Sequence, residues 1–132
     1  MILTDTSVWI EVLRDAGKRP AFEAALGGEA PVFSRFTQLE LLQGARNEGE
    51  WATLESYLDG QDYLEASPAS WAAAARMFYE LRREGTTVRS PIDCCIAQLA
   101  IENDIALLHC DRDFEALARV RNLRQRRVDF EA

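Results

Sequence analysis

Residues Met1 to Leu13 restrict the fold more than any other stretch. A short, mostly apolar run leads into Asp5, the hydroxyl residues Thr6 and Ser7 follow, and Val8, Trp9, Ile10, Val12 and Leu13 then recur at helical spacing. The pattern predicts a buried strand ending at Asp5 and a helix capped by Thr6 or Ser7. In an open α/β sheet, ligands bind outside the carboxyl ends of the strands, so Asp5 faces a crevice rather than a core.

With 132 residues, 48% of them hydrophobic, the chain suits one domain spanning 1–132. A domain of that size buries roughly two thirds of its unfolded surface. No basic leader precedes an apolar run, and nothing approaches the roughly 18 uninterrupted apolar residues of a membrane helix. A cytoplasmic protein without a membrane partner is expected. Cys94, Cys95 and Cys110 are odd in number and lack C-x-x-C spacing, which predicts reduced, buried thiols. The net charge is -7, from 22 acids and 15 bases, and Lys18 is the single lysine. Such a balance argues against a polyanion partner, less so if the acids gather to hold divalent cations. Arginine, the dominant base, suits phosphate forks.

Further along, Ala21 to Leu26 reads as a short helix closed by Gly27-Gly28, and Ala30 to Ser34 as a second strand. Thr37-Gln38-Leu39-Glu40 has the form of a capping box opening the next helix. Trp51, Leu54, Tyr57 and Leu58 continue at helical spacing, and Tyr63 to Ala66 reads as a very short strand. From Ala69 to Glu84, Trp71, Met77, Phe78 and Leu81 mark a buried stripe ended by Gly85. Together these helices suggest a hairpin inserted into the α/β plan. Ser90-Pro91-Ile92-Asp93 is a strong helix start, with serine at the cap and proline at the first helical position. Ile105 to Leu108 is the most apolar strand candidate, and it delivers Asp111-Arg112-Asp113-Phe114 into another helix. Val128 and Phe130 suggest a last edge strand.

Asp5, Glu40, Asp93, Asp111 and Asp113 all fall near predicted helix starts. Each alone can be explained as a carboxylate satisfying backbone N–H groups and the helix dipole, for about 0.3 to 1 kcal/mol. Together they suggest more, because Asp5 and Asp111 each end an apolar strand and belong at one edge of a parallel sheet. At an effective dielectric near 20, two charges about 4 Å apart repel by roughly 4 kcal/mol. A converged group therefore needs cations or protons, and hard oxygen ligands suit Mg²⁺ or Mn²⁺.

These residues carry a resemblance. Asp5-Thr6-Ser7, Glu40-Leu41-Leu42-Gln43-Gly44, Asp93 with Ile96-Ala97, and Asp111-Arg112-Asp113-Phe114 resemble the successive motifs of the PIN-domain ribonucleases, specifically the VapC toxins of toxin–antitoxin pairs. The similarity runs along the whole chain, and the order and spacing of the motifs carry it. It implies a three-layer α/β/α domain around a four- or five-stranded, mainly parallel sheet. Asp5, Glu40, Asp93 and Asp111 match the catalytic acids, with Asp5, Asp93 and Asp111 holding Mg²⁺ or Mn²⁺. Ser7 is implied to assist through a water or phosphate, and Asp113 as an auxiliary acid. The chain departs from the pattern at His109-Cys110, where a hydroxyl residue is common before the fourth acid.

The implied activity is endonucleolytic hydrolysis of RNA. The arginines are the expected RNA contacts, with Arg112 beside the site and Arg82, Arg83 and Arg89 near the entrance of the Asp93 helix. The implied partners are a cognate VapB-type antitoxin, a second copy in a homodimer, and a larger toxin–antitoxin assembly. The resemblance also implies that a tail of the antitoxin covers the crevice, and Trp9 and the region from Trp51 to Trp71 offer apolar surface for it, although each tryptophan also suits a core. Two other classes fit less well. A receiver-type signalling domain needs a lysine late in the sheet, and Lys18 comes too early. A haloacid-dehalogenase-type phosphatase needs an acid two residues after Asp5, where Ser7 stands. A protein-interaction module with helix-capping acids is the remaining alternative.

Overall fold

The computed structural model describes residues 1–131, and its strands are short parallel segments joined by helices. In chain order these are β1 (Ile2–Thr4), α1 (Thr6–Arg14), a 3₁₀ turn (Ala16–Lys18), α2 (Arg19–Leu26), β2 (Pro31–Ser34), α3 (Arg35–Gln43) and α4 (Glu48–Asp59). Then follow β3 (Tyr63–Leu64), α5 (Pro68–Arg83), α6 (Pro91–Glu102), β4 (Leu107–His109), α7 (Arg112–Val120) and β5 (Gln125–Arg127). The strands form one five-stranded sheet in the order β3-β2-β1-β4-β5, parallel throughout.

Successive strand residues point to opposite faces, and this divides the core in two. Leu3, Val32 and Leu107 pack with Met77 and Leu81 of α5, Ile96 and Leu99 of α6, and Phe114 and Leu117 of α7. Ile2, Phe33 and Leu108 pack with Val8, Trp9 and Val12 of α1, Phe22 of α2, Leu41 of α3 and Leu58 of α4. Trp9 is 1% exposed, stacked on Phe33 at 4.5 Å and edge-on to Phe22 at 5.1 Å. The result is the three-layer arrangement expected, with nearly continuous apolar strands because both faces are covered. Among the described residues, no helix is long and apolar enough to cross a membrane.

Four local expectations are corrected. The proposed helical hairpin does not form, because β3 intervenes: Leu58 of α4 belongs to one core and α5 to the other, where its main partner is α6. The third strand is only Tyr63–Leu64. Trp71, assigned to a buried stripe, is 54% exposed and meets Phe36 edge-on at 5.4 Å, while Ala74 takes the buried position on that face. The last strand is Gln125–Arg127 rather than Val128 to Phe130. An edge strand gains its backbone bonds on one side only and can carry charges that remain wet. Here Arg126 reaches Glu29 at 3.5 Å and Arg127 reaches Glu115 at 2.8 Å, while Val128 packs inward just beyond the strand.

Candidate active site

β1 and β4 are neighbours in the sheet, with Thr4 opposite Leu108, so the residues that follow them emerge together. Asp5 caps α1 itself, displacing the expected Thr6 or Ser7. Its Oδ2 accepts the Ser7 backbone N–H at 3.0 Å and the Ser7 hydroxyl at 2.6 Å. The Ser7 oxygen in turn accepts the Cys110 N–H at 2.9 Å, which ties the start of α1 to the end of β4. Ser7, expected to meet a water or phosphate, thus has its proton and a lone pair engaged within the protein. Asp5 is 5% exposed, and burial raises its pKa against the lowering effect of the Ser7 bonds.

Glu40 lies well inside α3, not at its start. Ser34 is the cap, accepting the Thr37 N–H at 3.2 Å, so the apparent capping box falls within the helix. Thr37 is buried, and its hydroxyl lies 2.9 Å from Thr6 Oγ1, which donates to Glu40 Oε1 at 2.8 Å. Burial raises the Glu40 pKa, and the charge of Asp5 adds to the rise.

Asp93 occupies the first turn of α6, but the cap is Ser90, whose Oγ accepts the Ile92 N–H at 3.1 Å. Its carboxylate makes no ion pair among the described residues, and its pKa is raised to about 7. Burial is the largest cause, followed by the charges of Asp5, Asp111, Asp113 and Glu40. A carboxyl that merely capped a helix would be pulled the other way, toward ionisation, by backbone N–H groups.

Asp111 caps α7 through Oδ1, which accepts the Asp113 N–H at 3.0 Å, and its Oδ2 accepts Arg89 Nη2 at 2.5 Å. Asp113 is 8% exposed, and its Oδ2 accepts Arg89 Nε at 2.9 Å. His109 is wholly buried. Its Nδ1 accepts the Asp111 N–H at 3.1 Å, so the ring proton belongs on Nε2, 2.6 Å from Gln125 Oε1. Burial lowers its pKa, and a neutral imidazole here fixes the backbone of Asp111 in place of a local hydroxyl. Lys18 pairs with Glu11, not with these acids.

One oxygen each from Asp93, Asp111 and Asp113 can be drawn within 4.8 Å of the others. Asp113, expected as auxiliary, thus stands together with Asp93 and Asp111 in one acidic group. Asp5 and Glu40 stand outside that triad and act on Asp93 through their charge. Arg112 is exposed at the first position of α7, whereas Arg89, expected to face RNA, clamps two of the acids. That clamp had no local signature, because 24 residues separate Arg89 from Asp113. The donor set is entirely carboxylate oxygen, which fits a hard divalent cation.

The family model for the PIN domain matches residues 2–120. Ribonuclease VapC11 of Mycobacterium tuberculosis is 39% identical over 128 residues, covering 93% of this chain and 96% of that protein. VapBC-5 from M. tuberculosis, described as a member of the VapBC family of toxin–antitoxin systems, superposes with a TM-score of 0.71 at 26% identity, covering 96% of this chain and 98% of that one. VapBC-1 from nontypeable Haemophilus influenzae superposes with a TM-score of 0.77 at 19% identity over the full length of both chains, a likeness of fold. With the acids gathered beside the ends of β1 and β4 and the match running along nearly its whole length, the chain belongs to the PIN-domain family, among the VapC ribonucleases.

Proposed function

We propose that this protein is a metal-dependent endoribonuclease, the toxin of a VapBC-type pair, which hydrolyses RNA phosphodiester bonds. The observation that carries this reading is Asp93, a half-buried carboxyl without an ion-pair partner that burial and four neighbouring acids push up to about 7. Such a site is unfavourable as anions alone and is relieved by a divalent cation. Relatives named as ribonucleases supply the activity, and those acids supply the means.

Asp93, Asp111 and Asp113, with Asp5 beside them, are the residues assigned to hold Mg²⁺ or Mn²⁺. When bound, the ion supplies positive charge to the phosphoryl oxygens and eases ionisation of the attacking water. Glu40 accepts a proton from that water, held in orientation by the Thr6 hydroxyl, which Thr37 steadies in turn. Ser7 fixes the Asp5 carboxylate, and His109 the backbone of Asp111. Arg112, and Arg89 once its fork is free, are assigned to RNA phosphates. By family resemblance the products carry a 5′-phosphate and a 3′-hydroxyl, and no protein side chain becomes covalently attached.

The VapBC assemblies among its structural relatives support a VapB-type antitoxin as partner; a homodimer and a larger complex of the two proteins follow from the family resemblance alone. Apolar side chains left exposed on consecutive helices, Leu39 at 65%, Trp51 at 40% and Trp71 at 54%, are the surface assigned to the antitoxin tail.

The test is cleavage of structured RNA by the purified chain with Mg²⁺ or Mn²⁺, with and without a chelator. Asp5→Asn retains a capping side chain at the start of α1, so it is expected to fold and to lose cleavage. Near-native, metal-dependent cleavage by that variant defeats the assignment. If the native chain neither cleaves RNA nor binds a divalent ion, the interaction-module reading replaces it.

A further inference from the structure

Four arginines near the chain end are paired at the surface: Arg121 with Glu80 and Glu84, Arg124 with Asp104, Arg126 with Glu29, and Arg127 with Glu115. Arg89 differs. It lies in the segment between α5 and α6, immediately before the Ser90 cap, and its fork spans two carboxylates of the acidic triad. Nη2 donates to Asp111 Oδ2 at 2.5 Å, and Nε donates to Asp113 Oδ2 at 2.9 Å. The Arg89 backbone N–H donates to that same Asp113 oxygen at 3.3 Å.

The commitments of Asp111 make this contact more than a surface ion pair. Its Oδ1 is engaged by the Asp113 N–H in capping α7, so Oδ2 is the oxygen left to bind a cation, and Arg89 holds it. A guanidinium on that oxygen and a divalent ion held by the same acids would also be two positive centres close together in a partly buried site. The guanidinium brings one charge to two acids and leaves Asp93 unpaired, whereas a divalent ion brings two charges to all three. The Arg89 side chain is 70% exposed, so it can swing into solvent without repacking the core.

We propose that Arg89 is an internal counter-ion that competes with the metal. Its guanidinium holds Asp111 and Asp113 together and is expelled from them as a divalent cation binds. The proposal rests on the metal-site reading above. Once released, the fork lies beside the acids and is free for an RNA phosphate, so the two roles of Arg89 are successive steps.

Linkage makes the antagonism reciprocal: whatever the clamp contributes to holding the acids, it subtracts from metal affinity. Isothermal titration of Mn²⁺ into the native chain and into Arg89→Gln measures this directly. Arg89→Gln is expected to bind Mn²⁺ roughly tenfold more tightly, within the usual range of coupling between two ligands. Equal or weaker Mn²⁺ binding by Arg89→Gln overturns the proposal and leaves the metal site standing. Absence of Mn²⁺ binding in both proteins overturns the metal site, and the proposal with it. The native chain supplies a measurement independent of how the variant folds. In a Mg²⁺ titration followed by NMR, the Arg89 Nε–H resonance is expected to leave its paired position and to exchange faster with water. A resonance that stays in place while Mg²⁺ binds overturns the proposal.

Discussion

Asp93 is where the electrostatics of this chain are most exposed to measurement. An unfolded aspartate ionises near 3.8, and this one near 7 in the native state. Between those values the native protein keeps a proton that the unfolded chain has lost, so its stability falls as pH rises through that window. Removing the charge should undo the loss. In chelator, Asp93→Asn is expected to be more stable than the native chain at pH 8 by about 1–2 kcal/mol, after allowance for the solvent that still reaches this carboxyl. The advantage should shrink toward zero near pH 4. Urea titrations at the two pH values test this, and an equal effect at both would remove electrostatic repulsion as the cause. The same substitution should abolish cleavage, since the residue that strains the fold is the one assigned to the metal. At this scale the sequence was legible in its residue types. Aspartates at strand ends marked the candidate site, but the partners of each oxygen were not readable. Ser7 was free to face a ligand until the Cys110 N–H, 103 residues away, claimed its oxygen.

The elements divide by whether their start signals were local. Ser90-Pro91 opens α6 and Asp111 opens α7 as read, because a cap needs only its own next few residues. For α3 the sequence reading put the helix start at the Thr37 capping box, whereas the structure caps the helix one turn earlier, with Ser34. The tertiary fold decides this: Thr37 is drawn inward to meet Thr6 of α1, so its hydroxyl serves the contact between helices instead of the helix end. Ser34→Ala is therefore expected to lower stability by about 1 kcal/mol, as loss of an N-cap usually does. Thr37→Ser keeps the hydroxyl and should retain cleavage. Thr37→Val keeps the shape but removes the hydrogen bond to Thr6, and it should reduce cleavage more than stability. Denaturation midpoints and initial cleavage rates for the three variants separate the two functions. A normal rate in Thr37→Val would mean that Glu40 needs no such support. β5 escaped the sequence reading for a related reason. Its three residues are Gln, Arg and Arg, and what makes them a strand is the exposed edge of β4.

Across the whole molecule, the alternation of Ile2 with Leu3, Val32 with Phe33 and Leu107 with Leu108 sends one residue of each pair to each layer of helices. Apolar patterning thus specified the sheet, whereas charge specified where it would bind. The net charge of -7 is not spread evenly, because four aspartates and Glu40 influence one another beside the ends of β1 and β4. Divalent ions can stabilise such a protein either by general screening or by occupying a site, and the two differ in saturation. Screening by salt at ordinary ionic strength acts over a Debye length of about 10 Å and treats every exposed pair alike. Site binding follows the logarithm of ligand over Kd and contributes roughly 2.7 kcal/mol when the ion stands at about 100 times its Kd. Mg²⁺ or Mn²⁺ is therefore expected to raise the melting temperature of the native chain by several degrees, reversibly with chelator, while NaCl of equal ionic strength leaves it nearly unchanged. In Asp93→Asn the rise should be much smaller, although that variant starts from a more stable state at neutral pH. If NaCl reproduces the rise, or if Asp93→Asn responds to Mg²⁺ as the native chain does, the acids are neighbours without being a metal site, and the proposed nuclease chemistry has no centre.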